Sequence, residues 1–271
     1  MGNEPLIADI SAARNRLRIT GADRVEFLHG QCTNDIKRLT VGDNCYAAFL
    51  DARGKMRGEG HVICQSDAFL LETSPGMAQS LEKFIITEDV MIEDMSTALG
   101  EWLVIGDITT GVPADAVTFR HPLGWGGISA VGMKPTIDAG ALEMLRIEAA
   151  VPRWEVDMDE HTIPNEAGLE RRAISYDKGC YIGQETIARI KTYGHVNRRL
   201  VQMALAGPGV PTRGDKIFAD GREAGRVTSA VFSSRLGKPL ALGYVRRELA
   251  ATGAALTWNN ETAEVLRVCG E

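Results

Sequence analysis

After Arg199 the chain changes texture, and that change limits the fold more than any other feature of the sequence. Short apolar runs alternate with the turn signals Gly207-Pro208-Gly209, Arg213-Gly214-Asp215, Asp220-Gly221 and Lys238-Pro239. Glycine and proline at such intervals stop each strand before it lengthens, so the last 70 or so residues are predicted to form a compact all-β module of sandwich or barrel type. A chain of 271 residues has room for more. At about 150 residues per domain the expectation is two domains or three small ones.

The stretch before that module reads as mixed α and β. Arg16–Thr20 alternates polar and apolar residues as a half-buried strand does, and a helix capped at Thr20 or Asp23 follows with Val25, Phe27 and Leu28. Asn44–Leu50 and Met56–Cys64 flank the turn Asp51-Ala52-Arg53-Gly54-Lys55, the pattern of a hairpin. Residues 56–117 read as strand, strand, helix, strand, strand. Met77, Leu81, Phe84 and Ile85 line one helical face, and Thr109–Pro113 breaks the run. A helix is predicted over 139–149 with Leu142, Leu145 and Ala149 buried. Another restarts at Gly183 or Gln184.

Charge narrows the function classes. The chain carries a net −6, which excludes a surface that coats nucleic acid throughout, and no apolar run is long enough to span a membrane. Nothing in the first 20 residues resembles a secretory signal. Five cysteines without a CxxC argue against a disulfide scaffold and for a reducing cytoplasm. No two of the five histidines stand three or four residues apart, and the expected metal content is none. Nucleophile elbow, Walker loop and dinucleotide fingerprint are all missing.

One segment runs against the acidic balance. Residues 171–199, RRAISYDKGCYIGQETIARIKTYGHVNRR, carry seven basic and two acidic side chains, leaving −11 for the remainder. A basic island on an acidic chain points to an anionic ligand at one place, with an ordinary solvated face as the plain alternative. Within it Cys180 stands just before a predicted helix start and two residues after Lys178. Both neighbours favour thiolate over thiol, whereas a lone cysteine is more often buried and inert. Gly179 and Gly183 allow tight turns and close backbone approach on either side.

The run Lys178-Gly179-Cys180-Tyr181-Ile182-Gly183-Gln184-Glu185 resembles the K-G-C-[FY]-x-G-Q-E signature of the YgfZ family, folate-binding proteins implicated in iron–sulfur protein maturation. Phe27–Ile36 (FLHGQCTNDI), Leu145–Ala149 (LRIEA), Ile163–Leu169 (IPNEAGL), Arg226–Ser229 and Ala241–Arg246 resemble other blocks of that family in the same order. The resemblance implies an α+β class. The implied architecture is a three-domain aminomethyltransferase-like (T-protein) fold around a central folate cavity, with a C-terminal β-barrel module. The corresponding domains are 1–50 plus 118–196, an inserted helix-on-sheet domain of ferredoxin type at 51–117, and 197–271.

It also implies tetrahydrofolate or a derivative as cofactor and iron–sulfur client or assembly proteins as partners, with neither membrane nor direct nucleic-acid binding. Cys180 and Lys178 become the expected reactive pair. Arg146, Glu148, Asn34, Asp35, Tyr181, Gln184 and Glu185 become expected folate-site residues. A carboxylate accepts the side-by-side N–H groups of a pterin, the role implied for Glu148. Tyr46, Tyr181 and Trp154 are stacking candidates, and Arg171, Arg172, Lys191 and Arg198 are candidates for the folate tail. Where the T-protein has an aspartate pair after its first hairpin, this chain has Gly58 and Glu59, so folate binding without glycine-cleavage activity is expected. The alternative is a one-carbon transferase working through Glu59 or Asp51. A further alternative is a thiol-dependent regulatory protein that has lost folate.

Overall fold

The computed structural model describes residues 4–106, 108 and 111–271, so the break expected at Thr109-Thr110 lies outside the described residues. The chain begins with β1 (Leu6–Asp9), β2 (Asn15–Thr20), α1 (Arg24–Gln31), β3 (Asn44–Leu50), β4 (Met56–Cys64) and β5 (Phe69–Thr73). There follow α2 (Met77–Glu82), β6 (Met91–Asp94), β7 (Gly100–Ile105), β8 (Val117–His121) and β9 (Gly124–Ser129). Three helices come next, α3 (Ala139–Glu148), α4 (Glu170–Ala173) and α5 (Gln184–Tyr193). The chain ends in β10 (Arg198–Leu205), β11 (Lys216–Ala219), β12 (Arg222–Ser233), β13 (Lys238–Arg246), β14 (Ala255–Trp258) and β15 (Glu261–Val268). It divides into two compact units, residues up to 139 with 172–188, and residues 140–171 with 189–271.

The first unit contains a five-stranded antiparallel sheet ordered β3-β4-β5-β2-β6 and a four-stranded sheet ordered β1-β7-β9-β8. Strand alternation decides what each face meets. Leu17, Ile19, Val62 and Leu71 point to one side of the five-stranded sheet and pack with Phe27, Leu28, Met77 and Leu81 of α1 and α2. Ile63 and Leu70 point to the other side and meet Phe119 and Ile128 of the second sheet. The strands of residues 51–117 therefore pair outside that stretch. β4 pairs with β3 across the expected boundary at residue 50, β5 with β2, and β7 with β1 and β9. Sequence locality suggested one small sheet; hydrogen bonding distributes the strands over two. α2 is also shorter than its apolar pattern, stopping at Glu82 and leaving Phe84 beneath the Arg57 guanidinium at 4.5 Å.

The second unit is built on a closed six-stranded barrel, β10-β13-β12-β11-β14-β15, the barrel rather than the sandwich of the two forms that the C-terminal turn pattern allows. Val201, Met203, Val227, Ala241, Val245 and Val265 fill its interior. Leu200, Ala204, Leu240 and Leu242, on the alternate face, pack outside the barrel against Ile147 of α3. β10 and β13 thus bury both faces, which explains their nearly continuous apolar sequence. Gln202 donates from Nε2 to the carbonyl oxygens of Ile147 and Glu148, at 2.5 and 3.0 Å, satisfying acceptors at the end of α3. The helix differs from expectation in its buried face: Arg146 and Ile147 are buried, whereas Leu142, Leu145 and Ala149 are half-buried. Arg146 turns inward because a buried carboxylate awaits it there.

Candidate functional site

In the first unit the KGCYIGQE segment is held against the C-terminal end of α1. Lys178 is buried, and its ammonium donates to three carbonyl oxygens, those of His29, Cys32 and Asn34, at 2.7, 2.6 and 2.9 Å. An ammonium has three N–H bonds, so all are used. Burial pushes the Lys178 pKa down, while neighbouring Cys32 and Asp35 act in the opposite direction. Lys178 thus pins the loop to the end of a helix, where a positive charge is favourable. The expected pairing of its charge with Cys180 is replaced by this inward contact.

Gly183 has φ +84°, and a Cβ there would stand 2.6 Å from the Asp51 carbonyl oxygen in the β3–β4 turn. Only glycine accommodates both the left-handed conformation and that approach. Gly54 of the same turn meets Thr186 of α5 equally closely. Gly179 has open space around it. α5 begins at Gln184, as the sequence predicts, but Cys180 lies before its cap and outside the first turn, where the helix dipole acts.

Cys180 is exposed and has no hydrogen bond among the described residues. It lines a cleft of about 430 Å³ with Glu26, His29, Asp35, Asp177 and Lys178. The other cysteines are buried or half-buried. Burial pushes the Cys45 and Cys269 thiols up to about 12 and raises Cys32 as well. Burial, then Lys178 and Lys37, lowers the His29 pKa, with Asp35 and Glu26 acting in the opposite direction. Asn34 and Asp35 serve the loop's support. Asn34 donates from Nδ2 to the carbonyl oxygens of Tyr46 and Arg172, and Asp35 accepts from the Lys37 amide and forms an ion pair with Arg38 at 2.8 Å. Tyr181 is buried under the Lys178 ammonium, with its phenol pushed up to about 12 by burial. Gln184 is half-buried and Glu185 exposed at the start of α5.

Between the two sheets of this unit lies a layer of buried charge that sequence reading missed. Tyr46, His61, Glu72 and Arg16 stand side by side across β3, β4, β5 and β2. His61 Nδ1 lies 2.9 Å from Glu72 Oε2, and Arg14 pairs with both Glu72 and Glu59. Burial alone would raise the Glu72 pKa, but Arg14 and His61 outweigh it and hold it well below the carboxylate range. Burial and Glu72 push the Glu101 pKa up, against the opposing charges of Arg14 and Arg16. Tyr46 lies under the Arg172 guanidinium at 4.2 Å and against the His61 ring at 5.0 Å. Gly58, at one position of the T-protein's aspartate pair, faces Met77 and Ser74 on the helix side. The available signal was the period-2 pair Glu59 and His61, polar residues on the inner face of an otherwise apolar hairpin.

In the second unit Arg146 is 5% exposed and pairs at 2.5 Å with Asp157, whose side chain is 0% exposed. Asp157 also accepts from Thr228, from Ser229 at 2.7 Å and from the Arg153 amide at 3.0 Å. Arg146 is therefore committed within the fold. Glu148 accepts from Ser233 Oγ and, at 3.0 Å, from Arg235 Nε. Burial raises its pKa, but these two donors more than compensate and keep it ionised. Arg198 pairs with Glu166 at 3.0 Å and lies 4.6 Å from the Tyr244 ring centre. The expected residues thus fall into two groups: Cys180, Lys178, Asn34, Asp35, Tyr181, Gln184 and Glu185 in the first unit, Arg146 and Glu148 in the second.

Residues 198–266 match the glycine cleavage T-protein C-terminal barrel domain. A putative chloroplastic transferase of Arabidopsis thaliana is 29% identical, covering 97% of this chain and 70% of that protein. A tRNA-modifying protein YgfZ of Yersinia pseudotuberculosis is 27% identical, covering 79% of this chain and 76% of the other. Bacterial proteins named aminomethyltransferase match over 49% of this chain, which spans 35% of their length. The crystal structure of glycine cleavage system aminomethyltransferase T from Bartonella henselae superposes with a TM-score of 0.81 at 19% identity, covering 98% of this chain and 86% of that one. These likenesses support a YgfZ-type member of the T-protein-like superfamily. Its fold is the aminomethyltransferase-like α+β fold with a C-terminal barrel. Within the KGCYIGQE segment, packing accounts for Lys178 and Gly183 but leaves Cys180, exposed at a cleft, without a structural task. Among the described residues no helix is long and apolar enough to cross a membrane.

Proposed function

We propose that the protein binds a reduced folate and acts as an accessory factor in the assembly or repair of iron–sulfur proteins, with Cys180 as the working thiol. The observation that carries this reading is the exposure of Cys180 at a polar cleft, on a loop that Lys178 and Gly183 lock in place. A thiol held on a rigid support is oriented for exchange or for iron ligation. One thiolate cannot hold a cluster, so the client or assembly partner supplies the other ligands. All five cysteines are free, in keeping with a reducing cytoplasm.

Glu148 fits the pterin. A carboxylate offers about four acceptor sites. Ser233 and Arg235 use two, which fixes the group's orientation, keeps it ionised and leaves capacity for two parallel N–H donors. When bound, a reduced folate supplies one-carbon or reducing chemistry. The chain's own part is to orient the pterin at Glu148. Tyr46 has Arg172 against its ring and Tyr181 has Lys178, so Trp154, half-buried, is the stacking candidate with no cation on its ring among the described residues. Aminomethyl transfer has less support, because Glu59 is buried and bridged by Arg14.

The test compares Cys180→Ala with the unmutated protein in tetrahydrofolate calorimetry and in rescue of iron–sulfur enzyme activity in cells lacking the protein. Retained folate binding with lost rescue is expected. Full rescue by Cys180→Ala removes the thiol from the mechanism, and absence of folate binding by the unmutated protein removes the cofactor.

A further inference from the structure

The cleft beside Cys180 is lined by groups of both signs, and most of them are already engaged. Lys37 pairs with Glu26 at 2.6 Å, Arg38 with Asp35 at 2.8 Å, and Lys178 is spent on three carbonyl oxygens. What remains is a sulfur, an imidazole and a carboxylate. Cys180 and Asp177 have no hydrogen bond or ion pair among the described residues. His29 is 7% exposed, lines the cleft, and has a buried Nδ1 with no hydrogen-bond partner. A buried polar atom of this kind calls for an explanation.

Asp35 supplies part of it. Its Oδ1 stands 3.7 Å from His29 Nδ1, longer than a hydrogen bond but within a small side-chain adjustment of one. Asp35 is itself anchored by Arg38 and by the Lys37 amide. A carboxylate on Nδ1 selects the tautomer with its proton on that nitrogen and leaves the Nε2 lone pair free, the arrangement that orients metal-binding histidines. Two backbone contacts bring the partner close. Lys178 Nζ reaches the His29 carbonyl, and the Ile182 amide donates to the Gly30 carbonyl at 3.1 Å, so the Cys180 loop is fastened on both sides to the turn of α1 that carries His29.

We propose that this cleft takes one divalent transition-metal ion, held by Cys180 Sγ and His29 Nε2, with Asp35 orienting the ring. The inference rests on the maturation reading above and names the chemistry of its cargo. Sulfur and imidazole donors select Fe²⁺, Co²⁺ and Zn²⁺ over Mg²⁺ and Ca²⁺. Among the described residues no three His, Cys, Asp or Glu side chains are placed to hold an ion by themselves, so the site is open. Water or a client's thiolate completes the coordination, which suits transfer more than storage. On binding, the Cys180 S–H bond gives way to a sulfur–metal bond, the proton leaves to solvent, and no electron moves. This revises the expectation of no metal, which considered ligands near in sequence; His29 and Cys180 are 151 positions apart.

Cobalt(II) is the probe. Added to the unmutated protein under reducing conditions, it is expected to give a thiolate-to-cobalt charge-transfer band that saturates at one ion per chain. Cys180→Ser abolishes the band, and His29→Gln weakens Co²⁺ binding at least about tenfold. Because His29 is in a helix and buried, a folding defect in that variant is bypassed by X-ray absorption at the cobalt edge of the unmutated protein, where one sulfur and at least one imidazole scatterer are expected. No band, a band surviving Cys180→Ser, or a cobalt shell without imidazole overturns the proposal. If the protein fails these tests yet Cys180→Ala still loses rescue, the metal site falls and the maturation reading stands. If the site is present and Cys180→Ala rescues fully, the site stands and the maturation reading falls.

Discussion

Replacing Arg146 by Met separates a structural role for this residue from a role in holding ligand. The guanidinium lies 2.5 Å from Asp157 with both side chains almost wholly buried, at 5% and 0% exposure. Removing one member of a buried ion pair costs about 3–5 kcal/mol, because the other charge is left uncompensated. Asp157 keeps three donors in the variant, from Thr228, Ser229 and the Arg153 amide. These place Arg146→Met at the low end, about 3 kcal/mol. Asp157→Asn leaves the Arg146 cation with Glu143 as its remaining carboxylate but turns an amide N–H₂ toward groups that donate, so it is expected to cost about as much. At about 2–4 °C per kcal/mol the melting temperature falls by about 6–12 °C. The double variant is expected to lose less than the sum of the two, revealing a coupling of about 2–3 kcal/mol. Urea unfolding of the four proteins measures this, and tetrahydrofolate calorimetry well below each melting temperature supplies the second readout. A loss under about 1 kcal/mol for Arg146→Met, or collapse of folate affinity with the fold intact, would refute the reasoning and return Arg146 to the ligand.

Lys178→Met leaves three carbonyl oxygens without their donor and is expected to cost about 2–4 kcal/mol in urea unfolding, since hydrogen bonds to charged groups contribute about 1.5–3 kcal/mol each and water entering from the cleft recovers part; a loss below about 0.5 kcal/mol contradicts the pinning role. Gly183→Ala forces a left-handed alanine against the Asp51 carbonyl and is expected to destabilise the chain, whereas Gly179→Ala is near neutral by thermal melting. Burial, then His61 and Arg172, push the His121 pKa down to about 3, so between pH 6.5 and 3 the unfolded chain takes up a proton that the folded chain refuses. Stability is therefore lost as pH falls through that window, by at most about 1.4 kcal/mol per pH unit from this group, and His121→Gln should flatten the slope of melting temperature against pH. Iodoacetamide under native conditions is expected to label Cys180 first, because the other cysteines are buried or half-buried; mass spectrometry showing Cys32 or Cys269 labelled first contradicts the burial.

Local pattern carried much of the organisation. Turn residues between short apolar runs determined that the C-terminal part closes as β-structure, because glycine and proline limit strands through backbone dihedrals that need no tertiary partner. The hairpin at Asp51–Lys55 and the start of α5 at Gln184 were legible for the same reason. An eight-residue motif carried the resemblance to YgfZ-type proteins and drew attention to Cys180. Which motif residues do chemistry and which hold the loop was decided only by the fold. Lys178 reads as an activating charge in sequence but is an anchor in space, since its three acceptors lie about 145 residues earlier in the chain. Arg146 and Glu148 stand two apart on α3, yet one closes on buried Asp157 and the other on Ser233 and Arg235. The charge layer of Arg14, Glu59, His61 and Glu72 shows locally only as the period-2 pair Glu59 and His61, and the meeting of His29 with the Cys180 loop has no local signature. Strand register and the docking of a loop onto a helix end are settled by which surfaces pack together, and packing acts between residues remote in sequence, where no short-range pattern can record it.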